Sequence, residues 1–81
     1  MRQYIIYRNG SQTTAQRITA ALAHYSQNNG ALPAAVVVNP KDIEAATEHV
    51  KALDLALPVV GNGGVMAVEC WLQVAEGGTH V

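Results

Sequence analysis

PAAVVVNPKDIEAATEHVKALDLALPVVGNGGVMAVECWLQV, residues 33–74, is the stretch whose reading decides the fold. Ala34 to Val38 is short, continuous and apolar, the pattern of a buried strand. Asn39 can cap a following helix, and Pro40 suits the first helical position, where no amide donor is needed. Asp42 and Glu44 fall where the helix dipole favours negative charge, and Ile43, Ala46, Val50 and Leu53 recur as one apolar stripe. A helix over 40–53 is expected. Leu55 and Leu57 lead through Pro58 to Val59 and Val60, a short strand. Gly61-Asn62-Gly63-Gly64 predicts a tight hairpin turn, because glycine and asparagine accept positive φ. The last strand then alternates. Met66, Val68, Cys70, Leu72 and Val74 fall on one side; Val65, Ala67, Glu69, Trp71 and Gln73 fall on the other.

Upstream, Gln3-Tyr-Ile-Ile-Tyr-Arg8 is β-branched and aromatic and ends at Asn9-Gly10, a strand entering a turn. Both alternating sets, Tyr4/Ile6 and Ile5/Tyr7, are apolar, which predicts a central strand covered on two sides. Thr13 and Gln16 have the spacing of a capping box. Ile18, Leu22 and Tyr25 follow at helical spacing, and Gly30 can close the helix in the left-handed conformation. Arg17, Thr19, Ala20 and His24 fall outside that stripe. A helix over 14–28 is expected.

The element order is β-α-β-α-β-β: a single α/β (α+β) domain over residues 1–75, then a polar, disordered tail at 76–81. A four-stranded mixed sheet is expected. Strands one and two would be parallel, joined by a right-handed crossover, and the last two strands a C-terminal hairpin. The order is similar to that of thioredoxin-like and glutaredoxin-like folds, where a proline precedes the third strand as Pro58 does here. The resemblance is one of topology. The redox pair it would bring after strand one is replaced by Ser11-Gln12-Thr13-Thr14.

Eighty-one residues make one domain, able to bury roughly 60–65% of its unfolded surface. Charged residues are 14%, against about 25% in typical domains. Either polar uncharged side chains solvate the surface, or a partner covers part of it. Residues 1–38 carry three arginines and no acid; residues 39–81 carry two lysines against six acids, leaving the net charge at −1. So split a charge can orient a partner or a second copy. Three arginines do not make a nucleic-acid surface. No apolar run reaches the ~20 residues of a membrane span, and a cytoplasmic location is the expectation. One cysteine, Cys70, excludes an intramolecular disulfide, and the three histidines show no metal spacing.

Cys70 lies on the apolar phase of its strand, which predicts an inert buried thiol. No catalytic residue, metal ligand or cofactor is therefore expected. Two surfaces remain. Arg8, Ser11, Thr13 and Thr14 lie where a strand runs into a helix, so a carboxylate or phosphate could be held there; a turn with an N-cap uses the same residues. Val65, Ala67, Glu69, Trp71 and Gln73 share the minor phase of the last strand. If the helices cover only one sheet face, Trp71 stands on the other, as an interface core would. A non-enzymatic interaction or self-assembly module acting through this strand is the leading expectation, with another protein or a second copy as partner. An anion-binding or enzymatic domain built on the Arg8–Thr14 loop is the alternative.

Overall fold

A computed structural model describes residues 3–75. Four strands and two helices follow the expected order closely. Strand β1 spans Tyr4–Arg8, helix α1 Thr14–Asn29 and strand β2 Ala35–Val38. A 3-10 turn at Pro40–Asp42 leads into helix α2, Ile43–Ala52, and strands β3 (Val59–Gly61) and β4 (Glu69–Gln73) complete the sheet. The expected tail at 76–81 lies outside the described residues.

The local signals act as their chemistry requires. Thr13 Oγ1 accepts from the Gln16 amide, and Gln16 Oε1 accepts from the Thr13 amide, so the capping box is complete. Gly30 closes α1 at φ 67°, its amide donating to the Ser26 carbonyl. Asn39 Oδ1 accepts from the Lys41 amide, with Pro40 behind it. Helix α2 ends differently, with Asp54 in the left-handed region at φ 59°.

Strand pairing departs from expectation. The sheet order is β1-β4-β2-β3, with β4 antiparallel to both β1 and β2, and β2 parallel to β3. Strands β1 and β2 are parallel in direction, as expected, with β4 between them. Strands β3 and β4 form no hairpin, because β2 separates them. Neighbouring strands lie about 4.8 Å apart, so a two-residue turn cannot step over an intervening strand. Residues 62–68 make that step instead through two successive turns, closed by Val65 N–H to Asn62 carbonyl and Glu69 N–H to Met66 carbonyl. Asn62 N–H bonds the Val38 carbonyl and Asn39 Nδ2 bonds the Val65 carbonyl, tying this connection across the end of β2. Gly63 does not take positive φ, so the strained turn expected there is absent. With the C-terminal hairpin absent, the thioredoxin-like resemblance is limited to element order.

Strand β1 is an edge strand, not a central one. Its two apolar phases have different causes. Ile5 and Tyr7 pack on the helix-covered core, whereas Ile6 is 56% exposed on the other face.

Both helices lie on one face. Ile18, Ala21, Leu22 and Tyr25 of α1 and Ala46 and Val50 of α2 pack with Val36, Val38, Cys70 and Leu72 in one core. Side chains alternate across a strand, so Ala35, Val37, Glu69, Trp71 and Gln73 point to the opposite face. Among the described residues, no helix is long and apolar enough to cross a membrane.

Candidate functional site

The face left by the helices carries an apolar row running straight across the sheet. The register sets Ile6 beside Trp71, Trp71 beside Val37, and Val37 beside Val60. Ile6 and Val60 at the two ends are exposed, Trp71 is half-buried, and Val37 beside it is almost fully covered. Tyr4 extends the row at one corner, its ring centroid 5.5 Å from that of Trp71. Directly opposed aromatic and β-branched pairs of this kind stabilise a sheet by roughly 0.2–1 kcal/mol each. Gly64 of the 62–68 connection approaches the Trp71 ring, and both helices pack on the other face.

Glu69 organises the neighbouring end of this face. Its Oε1 accepts from the Met66 amide at 3.1 Å and the Trp71 indole N–H at 3.3 Å. Its Oε2 accepts from Arg8 Nε at 3.3 Å and Nη2 at 3.1 Å. The Met66 hydrogen bond first, then those from Trp71 and Arg8, hold the Glu69 carboxyl below its ordinary range, against an opposing effect of burial. One carboxylate thus fixes the indole, the Met66 loop and the Arg8 side chain together. Met66, itself exposed, lies 3.4 Å through its sulfur from Arg8 Nη2.

Of the residues expected on this surface, Glu69, Trp71 and Gln73 share it. Val65 and Ala67 do not belong to β4. Val65 is buried in the 62–68 connection, and Ala67 occupies a turn. The strand is shorter at its start than the alternation implied, because the chain is still crossing β2 there. Tyr4, Ile6, Val37 and Val60 were not singled out by sequence. Their membership depends on register between strands far apart in the chain. The one available signal was the double apolar phase of β1.

The Arg8–Thr14 segment is arranged otherwise. Arg8 turns its guanidinium to Glu69 on the open face. The Ser11 amide donates to Asn9 Oδ1, and the Thr13 amide and hydroxyl are engaged in the capping box. Helix α1 contributes an unforeseen residue, Arg17, which is only 5% exposed. Its Nη1 donates at 2.8 Å to the carbonyls of Asn9 and Gln12, and its Nη2 at 2.9 Å to Ala67. Its Nε is buried without a partner. Arg17 therefore clamps the loop after β1 to the turn before β4. Nothing near Arg17 in sequence marks this role, because Ala67 is fifty residues away.

Between β1 and α1 lies a recess of about 330 Å³, lined by Tyr7, Arg8, Asn9, Gln12, Arg17, Ala20, Ala21 and His24. Tyr7 hydroxyl and His24 Nδ1 are 3.0 Å apart at its wall. His49 instead meets the Thr19 hydroxyl at 2.7 Å, between the helices. Among the described residues, no three metal-ligating side chains cluster. Cys70 is buried, and burial pushes its thiol up to about 11 despite the opposing Arg17 charge. A thiol so protonated is a poor nucleophile at neutral pH. No protein-family model, curated protein or solved structure matches this chain.

Proposed function

We propose that this chain is a small non-enzymatic interaction module, and that its working surface is the open sheet face around Trp71. The carrying observation is the row Ile6–Trp71–Val37–Val60, continuous over all four strands, with both helices on the far side. A half-buried tryptophan, fixed by a carboxylate and flanked by exposed aliphatic side chains, has the composition of an interface centre. The low charge content of the sequence agrees with a covered face.

The chain contains one tryptophan, so its fluorescence reports this face alone. As protein concentration rises, Trp71 emission should shift to the blue and acrylamide quenching should weaken. Trp71→Ala should remove the mass increase seen by light scattering while circular dichroism stays native. A large aromatic at an interface centre commonly contributes 2 kcal/mol or more, about a thirtyfold change in affinity. Constant emission and single-chain mass at every concentration would reject self-assembly through this face.

A further inference from the structure

We infer that a second copy of this chain adds to the sheet at the edge of β1, antiparallel and about a twofold axis through Ile6. The inference rests on the reading of the sheet as the interaction surface, and it names the partner and its register.

The hydrogen bonding of β1 determines which groups are free. Val74 N–H donates to the Gln3 carbonyl and Asn9 N–H to the Val68 carbonyl, while the register pairs Ile5 with Leu72 and Tyr7 with Cys70. Residues 3, 5, 7 and 9 therefore direct their backbone groups at β4. With period two, Tyr4, Ile6 and Arg8 direct theirs away from the sheet. Among the described residues, none bonds these outward N–H and C=O groups. Three consecutive outward residues on a strand five residues long are a template for another strand.

The edge lacks the features that usually prevent such pairing. From Tyr4 to Tyr7 there is no charge and no proline. Arg8 stands at the end of the strand, held by Glu69. The opposite edge contrasts with this one. Strand β3 is three residues long, and at Gly61 its backbone comes so close to the Ile43 side chain and Pro40 that a Cβ would clash with Ile43.

The β1 edge is also self-complementary. A twofold through Ile6 sets Ile6 opposite its own copy, and Tyr4 opposite Arg8 of the other chain. All the outward backbone groups of the three residues are then paired. Each arginine faces an aromatic ring, never its like-charged mate. The apolar row ends at Ile6, on the axis. Pairing therefore joins the two rows into one, across eight strands, on a common open face.

The test uses the full chain, with amide hydrogen exchange and light scattering read together. Wild type should show twice the 8.6 kDa of one chain, and protection of the Tyr4, Ile6 and Arg8 amides should rise with concentration. Ile6→Pro deletes an outward N–H that β4 does not use, so it should leave circular dichroism native and weaken dimerisation roughly a hundredfold. Tyr7→Pro, which deletes an inward donor, should unfold the chain. Protected outward amides in a monomer would mean that the chain covers its own edge, and would overturn the proposal. So would unprotected amides at all concentrations. Dimerisation lost in Trp71→Ala but kept in Ile6→Pro would overturn the edge and leave the face reading standing. A wild type that never associates would remove both. Should Ile6→Pro fail to fold, wild-type exchange decides alone.

Discussion

On one face of the sheet Val36, Val38, Cys70 and Leu72 lie beneath two helices; on the other, Ile6, Trp71, Val37 and Val60 form a row with no described helix above it. The two sets have nearly the same apolar character. They differ in what has been brought to them. The covered face is filled by side chains of α1 and α2, whereas on the open face Ile6 and Val60 are left exposed at the two ends of the row. Apolar content alone therefore does not mark a core. A residue is core when the chain has an element left to place over it.

The largest expected difference between the faces comes from truncating a covered residue. Leu72 is fully buried in the core beneath the helices, so Leu72→Ala should cost about 2–5 kcal/mol, from lost burial and the cavity left behind. A small domain has few kcal/mol to lose, so urea unfolding should shift strongly or the variant should not fold. A cost under about 1 kcal/mol would show that the helices do not close this face.

The faces should also answer pH at opposite ends of the scale. Cys70 on the covered face has a folded pKa of about 11 against an ordinary 9.0. The unfolded chain loses its thiol proton first, so stability falls as pH rises through this window, by up to about 2–3 kcal/mol. Replacing Cys70 with Ala should flatten that alkaline limb. On the open face, the Glu69 carboxyl is held below 4.5 by the Met66 amide and its other partners. Its contribution is present above the unfolded value and is lost as pH falls through the folded one. Glu69→Gln should flatten the acid limb and release the indole. Equal pH profiles for variant and wild type at either end would dissolve the distinction.

The smallest effect should come from the end of the row. Ile6 is exposed and makes no core contact, so Ile6→Thr should change stability by no more than about 0.5 kcal/mol while keeping a β-branched side chain in the strand. A cost near that of Leu72→Ala, measured by urea titration in dilute solution, would mean that Ile6 is covered after all.

Much of this fold was legible in the sequence. Thr13, Gln16, Gly30, Asn39 and Pro40 act within a few residues of themselves, through side-chain geometry and fixed φ, so each could be read in place. The covered stripes of α1 and α2 follow the helical period for the same reason, except at Leu53, which lies past the end of α2 and is exposed. Of the residues expected on the last strand's minor phase, Glu69, Trp71 and Gln73 were assigned by alternation to the face on which they lie.

Strand order was not legible. Two parallel strands with a helix between them fit either as neighbours or with a third strand inserted, and the local sequence is the same in both. The choice is made by β4, whose central place satisfies its backbone on two sides and buries Cys70 and Leu72. Arg17 shows the same limit, since its carbonyl partners lie in segments that meet only when β4 takes that place. The sequence by itself determined the helices, their caps, the approximate strands and the phase of each. Only the tertiary structure decided which strand is an edge, which apolar phase goes uncovered, and that Ile6, Trp71, Val37 and Val60 form one row. Capping and periodicity are short-range, whereas register between distant strands is settled by the free energy of the whole sheet.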